Sequence, residues 1–190
     1  MRVIGGTARR RQLVAPELPG LRPTSARVRE AIFDVLASRG LVDGASVIDA
    51  FAGSGALGIE ALSRGARSVC FVDADRRAVA AVRANLESTG LGTAPGVRIV
   101  RADMSEFLAR EAGTRYDLAL LDPPYEFADW PSLLSLLEAD VAVLESSAPP
   151  EVPEPFSVRR EYRYGGTLVT LVESLGLGRD DPRSIEKGSV

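Results

Sequence analysis

Val47-Ile48-Asp49-Ala50-Phe51-Ala52-Gly53-Ser54-Gly55-Ala56-Leu57-Gly58 runs from apolar residues through a glycine turn into helical spacing. Four residues ending in Asp49-Ala50 read as a buried strand, and Leu57–Arg64 as the helix that follows. The turn matches G-x-G-x-x-G, and Asp73 stands 20 residues after Gly53, closing the next apolar run Val69-Cys70-Phe71-Val72-Asp73. Strand, glycine turn, helix and acid-tipped second strand are the opening of an α/β sheet that binds a ligand at the carboxyl ends of its strands.

Outward from there the pattern repeats. Arg76–Ser88 is a helix with Ala80, Val82 and Leu86 among its apolar positions, and Val97–Val100 is a third strand. A short helix to about Glu111 follows Asp103. Tyr116–Leu121 is the fourth strand, Pro131–Glu138 a helix and Val141–Leu144 the fifth strand. Phe156–Tyr164 and Thr167–Val172, divided by Gly165-Gly166, read as a β-hairpin. Before the first core strand, Thr24 is placed to cap a helix to about Ser38 with Ala31, Ile32, Val35 and Leu36 on its buried face. Arg2–Ile4 and Gln12–Val14 read as two short strands around Gly5-Gly6. The fold class is α/β: a doubly wound, Rossmann-like sheet, mostly parallel, with a C-terminal antiparallel hairpin and a small N-terminal hairpin extension. Residues 1–22 form a basic arm, 23–175 the domain, and 176–190 a polar tail expected to fray.

The second informative segment is Asp122-Pro123-Pro124-Tyr125, at the end of the fourth strand. Two prolines stiffen a turn whose carbonyls stay available as acceptors. A carboxylate and a carbonyl can hold an exocyclic NH2 while Tyr125 stacks on the heterocycle, so Asp122, Pro123, Pro124 and Tyr125 are candidate catalytic residues for transfer to a planar amine.

Composition narrows the chemistry. The chain has 190 residues, room for one domain, and no apolar run of the length a membrane span requires. The N-terminus lacks the apolar core of a signal peptide, so a cytoplasmic location is expected. Histidine is absent, which excludes serine-histidine triads and histidine-zinc hydrolysis, and the single Cys70 excludes an internal disulfide. No metal is expected. Residues 1–30 carry a net +5 in a chain of net −3, leaving −8 for the remainder. A basic segment on an acidic body suits a grip on nucleic acid, through Arg9, Arg10, Arg11, Arg22, Arg27 and Arg29.

Alone, the glycine loop and Asp73 fit a dinucleotide as well as S-adenosylmethionine. Three features favour the methyl donor. Asp49 sets a carboxylate where a pyrophosphate would be repelled but an ammonium and a sulfonium would not. Phe51 is bulky for a dinucleotide turn, and Asp122-Pro123-Pro124-Tyr125 has no part in hydride transfer. Asp49, Phe51, Gly53, Gly55 and Asp73 are thus the candidate cofactor residues. Asp103 joins them as a candidate for the adenine amine, with an N-cap as its other reading, Glu106 lying at capping-box spacing. Gly58 reads as a helix-packing glycine and Asn85 as a surface residue.

These residues resemble the RsmD-type 16S ribosomal RNA guanine-N2 methyltransferases of the class I S-adenosylmethionine-dependent superfamily. The likeness lies in Arg2-Val3-Ile4-Gly5-Gly6 with Arg9, Arg11 and Leu13, in Leu21-Arg22-Pro23-Thr24 with Arg27-Val28-Arg29-Glu30, in Asp49 through Gly65, and in Asp-Pro-Pro-Tyr. Arg10 departs from the pattern, standing where a glycine is expected. The resemblance implies methylation of the N2 of one guanine, position 966 in the usual RNA numbering, of 16S rRNA in a partly assembled small subunit, by a protein expected to be a monomer. The Asp-Pro-Pro-Tyr motif also resembles adenine-N6 DNA methyltransferases, which is the alternative.

Overall fold

A computed structural model describes residues 1–16, 25–124 and 126–175. Helix α1 (Ala26–Ser38) precedes strand β1 (Ser46–Ala50), followed by α2 (Ala56–Ser63), β2 (Ser68–Asp73), α3 (Arg76–Thr89), β3 (Val97–Arg101), α4 (Met104–Arg110), β4 (Tyr116–Leu121), α5 (Trp130–Leu136), β5 (Ala139–Ser146), β6 (Phe156–Tyr164) and β7 (Thr167–Ser174). The seven strands form one sheet in the order β3-β2-β1-β4-β5-β7-β6. β1 to β5 are parallel, while β7 runs antiparallel to β5 and β6 antiparallel to β7. The order reverses between β1 and β4, and that switch point opens a crevice beyond Ala50 and Leu121.

Two apolar layers hold the sheet. Phe33 and Leu36 of α1, Ile59 of α2 and Val82 of α3 pack with Val47, Val69 and Leu120 on one face. Phe107 of α4 and Trp130, Leu133 and Leu134 of α5 pack with Ile48, Val72 and Leu121 on the other. The strands are apolar on both faces because helices cover both.

Several local readings differ. Ser25, not Thr24, caps α1, its hydroxyl accepting from the Val28 N–H; Thr24 lies outside the described residues, as does the 176–190 segment. In place of two N-terminal strands a single antiparallel bridge joins Arg2 to Gln12. Val3 and Leu13 donate across that bridge to the Arg11 and Met1 carbonyls, while the donors between go to α2: Ile4 and Gly5 donate to the Glu60 carboxylate at 2.8 and 2.7 Å, Thr7 to the Ser63 carbonyl and Ala8 to the Ser63 hydroxyl. Val3, Ala8 and Leu13 are buried in the same core as α1 and α2. Residues 1–14 are therefore a layer of the domain rather than a free arm.

Candidate active site

The chain leaves β1 through Phe51 in the left-handed region (φ 59°) and reaches α2 through Gly53 (φ 55°) and Gly55 (φ 74°). Phe51 bears strain that a glycine would not, a cost that clusters at functional turns. Gly58 is a packing glycine, as expected: a Cβ there would stand 2.3 Å from the Phe71 ring and 2.8 Å from Asp49 Oδ2.

Three carboxylates converge on the crevice. Asp49 is buried and accepts from the Gly58 N–H at 2.8 Å. Asp73, at the tip of β2, accepts from Gly53 N–H and Asp75 N–H, each at 2.8 Å, so it ties the glycine loop to the start of α3. Asp122 follows β4, beside Ala50, and is half-buried. Burial pushes the Asp49 carboxyl well above its ordinary range, the nearby Asp122 and Asp73 push the same way, and the Gly58 N–H offsets part of the rise. A crevice lined this way is matched by positive charge and opposed to a pyrophosphate. The set of acceptors therefore fits a ligand bearing an ammonium and a sulfonium.

Pro123 is buried, Pro124 is exposed, and the Phe127 N–H closes the turn on the Pro124 carbonyl at 2.8 Å. Phe127 also links two parts of the site: its ring lies 5.7 Å from that of Phe51 and edge-on to Trp130 at 5.1 Å. Phe127 went unread in the sequence, although an aromatic just past a double proline was the available signal. Tyr125 and Arg22 lie outside the described residues. Asp103 caps α4, its Oδ1 accepting from Ser105 N–H at 2.9 Å and Glu106 N–H at 3.2 Å, while the Glu106 side chain turns to Arg110. The cap forms without the reciprocal half of a capping box.

Two residues sit elsewhere than expected. Arg29 is wholly buried, donating to the Arg2 carbonyl at 2.6 Å with its Nε 3.9 Å from Glu60, and so meets no phosphate. Burial lowers its pKa and the Glu60 and Glu145 carboxylates oppose that shift. Asn85 is buried rather than superficial: it donates to the Val14 and Ser54 carbonyls, both at 2.8 Å, and accepts from the Val14 N–H at 2.7 Å. Both were legible as members of buried helical stripes, Val28-Arg29-Ile32-Phe33-Leu36 and Ala81-Val82-Asn85-Leu86-Thr89. Arg9, Arg10, Arg11 and Arg27 are exposed. The Arg9–Arg11 turn follows Thr7 and Ala8, which are fixed to Ser63 at the far end of α2, about 10 Å along that helix from the glycine loop.

Known proteins are similar to this chain over nearly its whole length. The Ribosomal RNA small subunit methyltransferase D of Escherichia coli K12 is 37% identical over 95% of this chain and 93% of its own length. A solved E. coli protein provisionally described as the methyltransferase yhhF superimposes with a TM-score of 0.79 at 35% identity, covering 92% of this chain and 97% of that one. A hypothetical protein of Thermus thermophilus does so with a TM-score of 0.77 at 32% identity, over 91% and 99%. The family model described as Conserved hypothetical protein 95 matches residues 1–173, from the basic segment through the hairpin, and the chain belongs to that family, the RsmD-type family that its motifs resemble.

Proposed function

We propose that the protein methylates the exocyclic N2 amine of a guanine in 16S rRNA, position 966 in the usual numbering, within a partly assembled small subunit, using S-adenosylmethionine. The observation that carries this is the convergence of Asp49, Asp73 and Asp122 at the switch point, with the double-proline turn beside them, in a chain whose relative at 37% identity is named for small-subunit rRNA methylation. S-adenosylmethionine supplies an electrophilic methyl group on a sulfonium.

Asp49 and the glycine loop hold the amino-acid end and Asp73 the ribose hydroxyls; Phe51 and Asp103 flank the remainder. Asp122 and the Pro123 carbonyl accept the two N–H bonds of the target amine. Those contacts turn the nitrogen lone pair out of conjugation and toward the methyl carbon, so rate comes from alignment and charge placement rather than from a strong base. The proton shed by the nitrogen passes to Asp122 or to water. Tyr125 stacks the extruded base, since an enzyme acting on a base takes it out of the helix. Arg9, Arg10, Arg11, Arg22 and Arg27 neutralise phosphates.

The direct test is transfer of labelled methyl to small subunits lacking the native modification, with free RNA and DNA alongside, followed by nucleoside analysis. N2-methylguanosine confined to small-subunit RNA is expected; N6-methyladenine would transfer the chain to the adenine alternative. Asp122→Ala is expected to lower transfer by about 10²-fold or more while cofactor binding persists. Equal loss of both would refute its assigned part. Alanine at Arg9, Arg10 and Arg11 together is expected to weaken RNA binding and flatten its log–log salt slope by about 2.

A further inference from the structure

We propose that one face of β6, formed by Arg160, Tyr162 and Tyr164, is a stacking surface for the unpaired RNA beside the target nucleotide. This rests on the reading of the protein as an RNA methyltransferase and adds a contact surface distant in sequence from the basic N-terminal segment.

The hairpin points at the site. β7 is antiparallel to β5 with Leu168 opposite Ser146, and Leu144 of β5 is opposite Leu121 of β4. The Tyr164-Gly165-Gly166-Thr167 turn therefore projects from the sheet edge on which Asp49, Asp73 and Asp122 lie. β6 is three strand spacings from β4, about 14 Å, a distance crossed by a few nucleotides of extended strand.

A β-bulge sorts the side chains. Val158 pairs with Val172, whereas Arg160 pairs with Leu171, so one extra residue, Arg159, shifts the phase of the strand. Val172 belongs to the core layer of α4 and α5, while Leu171 and Val169 belong to the layer of α1 to α3. The bulge thus moves Arg160, and with it Tyr162 and Tyr164, onto the α1 face, a known use of bulges. There the two tyrosine rings lie 6.5 Å apart and 20° from parallel, half-exposed, and the Arg160 guanidinium stands 5.9 Å over the Tyr162 ring. Arg163, on the opposite face at the tip, is exposed. Among the described residues neither Arg160 nor Arg163 enters an ion pair, while the bulged Arg159 is taken up by Glu173 at the other end of the hairpin. Near-parallel rings with an exposed guanidinium over one of them match the chemistry by which proteins hold single strands: bases stack on the aromatics and the cation meets a phosphate.

The rings also wall an apolar groove against Ala31 and Val35 of α1, so two kinds of variant are needed. Tyr162→Ala with Tyr164→Ala is expected to raise KM for undermethylated subunits by about 5- to 150-fold per ring, with cofactor affinity kept and the paired Tyr→Phe variant close to wild type. Arg160→Ala, at an exposed residue, is expected to lower the salt slope of RNA binding by about 0.7. Wild-type transfer together with unchanged KM in the first variant and unchanged slope in the second overturns the hairpin surface alone. A wild type that transfers no methyl while these variants lose RNA affinity upholds the surface and overturns the enzymatic reading.

Discussion

Asp49 is held away from water with two other carboxylates beside it, and its folded carboxyl titrates well above the usual range because of burial first and those neighbours second. In the unfolded chain it loses its proton near pH ~3.9. Between that pH and the raised folded value the native state binds the extra proton, so stability falls as pH rises through the window. Asp49→Asn is expected to be more stable than wild type at neutral pH and to converge with it in acid, measured by thermal melts without ligand; a variant that keeps the wild-type slope assigns the pH dependence to other groups. Arg10 occupies φ 72°, a conformation that favours glycine. The left-handed conformation costs an L-residue about 1–2 kcal/mol, part of which glycine returns as unfolded-state entropy. Arg10→Gly should therefore gain up to about 1 kcal/mol in denaturant titrations while weakening RNA binding. An unchanged RNA affinity would leave Arg10 with strain and no purpose. The placement of the glycine loop, Asp49, Asp73 and Asp122 at one edge of the sheet was legible because turn and strand-end chemistry is written locally. Arg29 and Asn85 were misplaced because their polarity was weighed above their position in an apolar stripe.

Helix α1 and residues 1–14 are joined through the interior. Arg29 donates to the Arg2 carbonyl, and Glu60 of α2 takes the Ile4 and Gly5 amides and Arg64 Nε at 2.8 Å. Removing Arg29 takes the donor from the Arg2 carbonyl and one of two cations from Glu60, which keeps Arg64, at a cost of about 1–3 kcal/mol. Arg29→Met is expected to lose stability on that scale and to speed hydrogen exchange at Ile4 and Gly5; protection equal to wild type would show that Glu60 holds the segment alone. Most element ends fell within two residues of expectation because periodicity and caps mark them, as with Asp103, whose side chain caps α4. β5 extends to Ser146 beyond the predicted Leu144 since its last residues pair with β7, a partner remote in sequence. The N-terminal hairpin shortened to one bridge for the converse reason: from Ile4 on its donors found α2.

Across the whole molecule, alternation of strands and helices announced a parallel sheet, and the two glycines after Tyr164 announced a hairpin. The burial of Leu168–Val172 against the polar alternation of β6 explains why β7 takes the inner place and β6 the edge. What no local pattern shows is that the basic segment is fastened to the glycine loop. Asn85 reaches Val14 on one side and the Ser54 carbonyl on the other. Asn85→Ala leaves buried groups unsatisfied and is expected to cost about 1–3 kcal/mol, checked by chemical denaturation. Because a single amide grips both, strain applied at either end is shared. RNA seated on residues 1–14 should tighten the hold on S-adenosylmethionine, and by reciprocity the methyl donor should tighten the hold on RNA by the same factor. Titrating each in the presence of the other would read that factor, and Asn85→Ala should bring it to one.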